Sequence, residues 1–288
     1  MSAPPFVDGN RIREALSVGA AADALHAALR AGLDPELEPA RDHISIGDGQ
    51  LLMMPAEVGP HATVKLVTIG GTPRIQGICA VFDTRTLSPL ALLDGVGLTN
   101  LRTPAVSLLA VRRMLAGDPR RLLVFGAGPQ ASLHADAFRA EFGLTDVMFV
   151  HRATPEDEVR RAVSRADLIC CATTARAPLF DGALVPDRAV VVAIGSHERS
   201  ARELDARLVG RATVAVESRQ SALREAGDVI LAGLAGSALL TLAELAAGRS
   251  VADDRPRVFK SKGMSWEDTV VAAAVLDAVG IAGRRDAK

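Results

Sequence analysis

The sequence is short of several things, and each shortage excludes something. It has no excess of charge of either sign: 33 Lys and Arg stand against 34 Asp and Glu, for a net charge of −1. That excludes a generally basic surface for nucleic acid or an anionic membrane, so any cation that matters acts locally. There are only three cysteines, Cys79, Cys170 and Cys171. An odd number, two of them adjacent and each inside an apolar run, excludes a disulfide framework and points to buried free thiols in a reducing cytoplasm. No apolar run approaches the ~18 residues of a membrane span. The opening Met-Ser-Ala-Pro-Pro-Phe-Val lacks the basic-then-apolar order of a secretion signal. Low-complexity tracts and internal repeats are also missing. The 288 residues that remain are 49% hydrophobic and 23% charged, a composition that fills one large domain or two ordinary ones.

The hydrophobic period changes along the chain. Asp8 and Asn10 can cap a helix in which Ile12, Leu16, Val18, Ala22, Leu25 and Leu29 recur at roughly helical spacing up to Gly32. Five short apolar runs follow, at 42–46, 50–55, 63–69, 75–82 and 89–93. Gly, Pro and Asp separate them, which predicts an antiparallel or mixed sheet. Thr103 and Pro104 read as the N-cap and first residue of a helix over 104–116, closed by Gly117-Asp118-Pro119. Strand and helix then alternate: strands at 121–125, 146–150, 168–172, 189–194 and 212–216, with helices at 130–142 and 155–165. Unbroken apolar strands predict a parallel sheet covered on both faces. After a short strand at 257–260, a last helix at about 266–279 is expected to return to the first domain.

Within this pattern lies Leu122-Leu123-Val124-Phe125-Gly126-Ala127-Gly128-Pro129-Gln130-Ala131, a buried strand, a G-x-G-x-x-A turn and a helix. Gly126 permits the tight turn, Gly128 lets the backbone approach a pyrophosphate, and Ala131 lets the helix pack close to the strand. The helix N-terminus offers N–H groups and a partial positive charge to the phosphates. The same pattern also occurs in ordinary strand–helix turns, so its context carries the weight. The expected fold class is α/β: a Rossmann-type parallel-sheet NAD(P)-binding domain over 117–263, plus an α+β domain built from 1–116 and 264–288. The next strand ends Val150-His151-Arg152-Ala153-Thr154, with no acid before Glu156. Arg152 suits a 2′-phosphate, which favours NADP over NAD.

Three cations interrupt or border apolar elements of the first domain: Arg41, Lys65 and Arg102. Arg offers a two-pronged donor and Lys a point charge, a set suited to a carboxylate, although a lone strand lysine usually faces solvent. Gly195-Ser196-His197 follows the strand at 189–194, at the sheet edge where ligands bind in such folds. There a histidine can act as a general acid.

These pieces together resemble the ornithine cyclodeaminase/mu-crystallin family along nearly the whole chain. The resemblance runs through Leu52-Met53-Met54-Pro55-Ala56, Val64-Lys65-Leu66-Val67-Thr68, Leu98-Thr99-Asn100-Leu101-Arg102-Thr103, the glycine turn, Gly195-Ser196-His197, Arg202-Glu203-Leu204-Asp205, Glu225-Ala226-Gly227-Asp228 and Phe259-Lys260-Ser261-Lys262-Gly263. It implies a two-domain subunit that pairs with a second copy into a homodimer. It also implies that Arg41, Lys65 and Arg102 hold a substrate carboxylate, that Gly126, Gly128, Pro129 and Gln130 lie on the cofactor pyrophosphate, and that Thr173 and Ser261 are further cofactor contacts. The chain departs from the cyclodeaminating members in two places. Leu52 stands where they resemble one another in a glutamate, and His197 stands where they have an acid/base aspartate. The chain is also shorter in two stretches, between Ile69 and Ile75 and between Arg152 and Asp167.

Three activities follow from this reading. One is NAD(P)H-dependent reduction of a C=N bond in a small imino acid, or its reverse, amino acid dehydrogenation, with Lys65 and His197 as the catalytic groups. Another is cyclodeamination of a diamino acid with recycled NAD. The last is non-catalytic NADPH binding in the manner of a crystallin. Leucine cannot move a proton, so Leu52 favours the first. The partners expected are a small amino or imino acid and a second copy of the chain, with no nucleic acid, membrane or metal.

Overall fold

Where apolar residues alternate, the chain pairs into a mixed sheet; where they run unbroken, it forms a parallel one. The computed structural model describes residues 3–196 and 198–281. The chain divides into two compact units, one combining the chain up to Val106 with the chain from Met264 onward, the other Ser107–Gly263.

In the first unit, β1 (Phe6–Val7), β2 (Asp42–Ile46), β3 (Gly49–Val58), β4 (His61–Ile69), β5 (Ile75–Asp83) and β6 (Pro89–Asp94) form one sheet in the order β1-β6-β5-β4-β3-β2. All neighbours are antiparallel except β1, which runs parallel to β6. The expected single N-terminal helix is two, α1 (Gly9–Ala15) and α2 (Val18–Arg30). Asp8 caps the first through Asn10 N and Arg11 N. The chain then extends at Leu16, and the Ser17 hydroxyl accepts from Ala20 N to start the second. A serine that serves as an N-cap interrupts a periodicity that otherwise reads as continuous.

The helix expected from Pro104 starts nine residues earlier. α3 (Gly95–Met114) is capped by Asp94, which accepts from Val96 N and Gly97 N, and Pro104 sits inside it. Proline there removes one helical N–H. Thr103 is not a cap; its hydroxyl donates to the Thr99 carbonyl at 2.8 Å.

The second unit holds β7 (Arg121–Phe125), α4 (Pro129–Phe142), β8 (Asp146–Val150), α5 (Glu156–Val163), β9 (Leu168–Cys171), β10 (Val190–Ala193), α6 (Ala206–Arg211), β11 (Thr213–Val216), α7 (Arg219–Glu225), α8 (Gly227–Ile230), β12 (Leu239–Thr241), α9 (Leu242–Ala246) and β13 (Arg257–Lys260). The seven strands are all parallel, in the order β12-β11-β13-β10-β9-β7-β8. β8 leaves β7 on one side and β9 takes the other, so the topology reverses at β7, the strand that leads into the glycine turn. Open α/β sheets bind ligands at such a switch point. Val191, Ile169, Leu123, Val214 and Val258 centre a fully apolar core. The three cysteines are buried and free, as expected.

α10 (Ser265–Ala278) belongs to the first unit and packs on β3, β4, β5 and α2. It covers the face bearing Leu52, Met54, Thr63, Lys65, Cys79 and Val81, all buried. The opposite face carries Met53, Leu66 and Ile78 in one register row and Pro55, Val64, Ala80 and Leu92 in the next. Those side chains keep part of their surface exposed although they are apolar. A solvent-facing sheet surface normally alternates to polar residues, so this face has the composition of one that is covered.

Candidate active site

Strand alternation turns Lys65 inward, between Met54 on β3 and Cys79 on β5. Its Nζ lies 2.7 Å from Asp268 Oδ2 and 3.5 Å from Thr99 Oγ1. Arg102, three residues after Thr99 on α3, reaches the same carboxylate. Its Nε lies 3.4 Å from Asp268 Oδ1, and its Nη1 donates to Glu267 Oε2 at 3.1 Å. The lysine and both acids are at most 2% exposed in their side chains and Arg102 is 9% exposed, so solvent does little to screen these charges. Burial lowers the pKa of Lys65, Asp268 pulls it back up and Arg102 pushes it down. The Cys79 thiol is pushed up to about 12, mainly by burial.

Arg41, half-buried just before β2, belongs to the same electrostatic neighbourhood through Glu38. Glu38 accepts from Ser265 N at 2.8 Å and Trp266 N at 2.6 Å, capping α10 from a distant part of the chain. Burial raises its pKa to about 7. The two N–H groups and Arg41 oppose the rise and Asp268 adds to it.

In the second unit, Gly126 has φ +128°, and a Cβ there would lie 2.4 Å from the Ala172 carbonyl oxygen. Gly128 is the N-cap of α4 without a side-chain cap, and a Cβ at Gly128 would meet nothing within 4 Å. Ala131 is fully buried against the turn. An uncapped 14-residue helix opening on clear space beside a glycine fits a pyrophosphate. Pro129 and Gln130 form the first turn of that helix. Arg152 is exposed just beyond the C-terminal end of β8, where His151 N donates to Thr154 Oγ1.

Thr173 and Ser261 have hydroxyl protons already committed. Thr173 donates to Glu203 Oε1 at 2.8 Å and Ser261 to Glu217 Oε1 at 2.6 Å. What they can offer a ligand is backbone and an acceptor oxygen. Glu203, fully buried, also accepts from Thr173 N and Gly195 N, so one carboxylate ties together the chain ends after β9 and β10. Burial raises its pKa, and Lys260 opposes this. Lys260 itself donates to the Ser196 carbonyl at 2.9 Å and pairs with Asp228 Oδ2 at 3.1 Å, while Asp228 accepts from Glu203 N and Leu204 N. His197 lies outside the described residues. Leu52 is buried on the same sheet face as Lys65 and brings no titratable group.

Glu267 and Asp268 escaped the sequence reading, because acids in the first turn of a helix normally serve its dipole. The buried strand ending at Lys260 concealed that lysine in the same way.

The ornithine cyclodeaminase/mu-crystallin family model matches residues 7–160 and 153–281. The chain belongs to this family. Among its relatives, ketimine reductase mu-crystallin of Mus musculus is 33% identical over 267 residues, covering 84% of this chain and 85% of that protein. A delta(1)-pyrroline-2-carboxylate/delta(1)-piperideine-2-carboxylate reductase of Azospirillum brasilense is 31% identical, covering 82% of each. The crystal structure of a probable ornithine cyclodeaminase from Bordetella pertussis superposes with a TM-score of 0.88 at 28% identity, over 96% of this chain and 97% of that one. As a member of the ornithine cyclodeaminase/mu-crystallin family, the chain carries the α/β architecture expected from its strand pattern.

Two outcomes follow from this geometry. Asp228→Asn leaves buried Lys260 beside a neutral partner and is expected to cost about 3–5 kcal/mol in urea unfolding. Glu38 has a folded-state pKa above its unfolded value, so its contribution is complete below about pH 4.5 and is lost as pH rises through about 7. Unfolding at several pH values should show that loss, on the order of 3 kcal/mol, in the wild type and not in Glu38→Gln.

Proposed function

We propose that the chain is an NAD(P)H-dependent oxidoreductase that reduces the C=N bond of a small imino acid of the ketimine or cyclic imine type; amino acid dehydrogenation is the reverse reaction. The reading is carried by the convergence of Lys65 and Arg102 on Asp268, beside a strand position, Leu52, that has no proton-carrying group. Both curated relatives compared are named as reductases of such substrates. Lys65 and Arg102, with Arg41, hold the substrate carboxylate, and buried donors of this kind bind an anion far more strongly than exposed ones. Gly126, Gly128, Pro129 and Gln130 take the cofactor pyrophosphate, Thr173 and Ser261 contribute from the strand ends, and Arg152 favours the 2′-phosphate of NADP. When bound, the reduced cofactor supplies the hydride. The imine nitrogen also needs one proton, which the Lys65 ammonium or His197 delivers.

The apolar face of the first unit's sheet is the surface for a second copy, giving a homodimer. Three buried thiols fit a reducing cytoplasm.

The test is loss of NADPH absorbance with pyrroline-2-carboxylate, piperideine-2-carboxylate and pyruvate plus an amine. Steady turnover is expected, with kcat/KM falling at least about 100-fold, ~2.7 kcal/mol, in Arg102→Ala and Lys65→Ala. Ammonia and proline formed from ornithine and NAD, without net change in the cofactor, would replace this reading with cyclodeamination. Leu66→Arg on the open sheet face is expected to shift the sedimentation of the purified protein from dimer to monomer.

A further inference from the structure

The substrate cations are not free charges waiting for a carboxylate. Lys65, Arg102, Glu267 and Asp268 form a quartet with two charges of each sign, and Asp268 is the member that touches both cations. The choice of lysine is itself informative. The chain has only four lysines among its 33 basic residues, Lys65, Lys260, Lys262 and Lys288. Arginine stays charged under all ordinary conditions, whereas a lysine amine in a buried site can gain and lose its proton. At position 65 that freedom is checked by one carboxylate at 2.7 Å, itself fully buried.

We propose that Asp268 is the positioning residue of Lys65: it fixes the direction of Nζ on the buried face of β4 and holds the amine as an ammonium at neutral pH. The groups facing Lys65 are Asp268 and Glu267 on α10, Arg102 on α3 and Cys79 on β5, with Glu38 and Arg41 beyond them and the uncharged Met54 on β3. Arg102 and burial drive the amine toward neutrality. Cys79 keeps its proton at neutral pH and so brings no charge. Glu267 is engaged by Arg102. Asp268 is therefore the group in direct contact that opposes loss of the proton. The role rests on the reductase reading for its catalytic use, since an ammonium both draws in the substrate carboxylate and carries the proton the imine nitrogen needs. The pairing itself stands apart from any substrate.

The experiment uses the full chain labelled with 13C at Cε and 15N at Nζ of lysine, with Lys65→Arg identifying one of four signals. In the wild type the Lys65 amine should be an ammonium at neutral pH. In Asp268→Asn its midpoint should fall by about 1–3 pH units, and Asp268→Glu should restore most of the shift. The alkaline limb of kcat/KM for pyrroline-2-carboxylate should move with the midpoint, while NADPH affinity stays within about twofold. A Lys65 amine already neutral in the wild type at neutral pH would overturn the proposal without any variant, as would an unmoved midpoint in a folded Asp268→Asn. If no imine is reduced but the midpoint moves, the pairing stands and the reductase reading fails; if imines are reduced with an unmoved midpoint, the reverse holds.

Discussion

Two cations cannot be held in a protein interior without opposite charge close by, and in this chain the opposite charge comes from the far end of the sequence. Lys65 and Arg102 are built by β4 and α3, while Glu267 and Asp268 arrive on α10. That dependence explains why a segment following the whole parallel-sheet unit returns to the first one. It also explains why α10 is held so firmly at its start. Glu38 caps its first two N–H groups, and the Thr63 and Thr269 hydroxyls meet at 2.6 Å. Without α10 the inward face of the mixed sheet would be an apolar surface carrying an uncompensated ammonium.

The parallel-sheet unit uses the same device for a different purpose. Glu203, Asp228 and Lys260 are buried together below the strand ends, and each spends most of its hydrogen bonds on backbone. Backbone after β9 and β10 is thereby fixed by charge-assisted bonds, in a region where a ligand-binding loop would otherwise be mobile. Glu217 does the same after β13, accepting from Ser261, Lys262 N and Gly263 N. Both units therefore place acids where the sequence shows only motif letters.

Much of the fold was legible because it rests on local patterns. The alternating strands 42–93, the unbroken strands and the glycine turn all follow from side-chain period and backbone freedom. The misreadings have local causes too. Ser17 divides an apolar period that spans two helices, and Asp94 starts a helix that the Thr103-Pro104 pattern alone would open at 104. In the site, the glycines and the three cations could be picked out because cations inside apolar runs are conspicuous. Their counterions could not, since Glu267 and Asp268 look like ordinary first-turn acids and lie 165 residues from Arg102 or further from Lys65. Position in sequence carries no signal for a pairing made only by tertiary folding.

The return of α10 also bears on how the chain is made. The parallel-sheet unit, Ser107–Gly263, is continuous and is complete before α10 is synthesised, whereas Thr63 waits 206 residues for Thr269. Domains form as units during synthesis, so the ribosome releases a finished second unit while the first still exposes its inward sheet face to water. Lys65 is hydrated through that interval and loses its water only when the last helix closes. The inward face of the mixed sheet is thus closed late, by a helix synthesised after the whole parallel-sheet unit, and a ribosome that stalls short of α10 yields a folded parallel sheet and a first unit in which Lys65 and Arg102 lack their carboxylates.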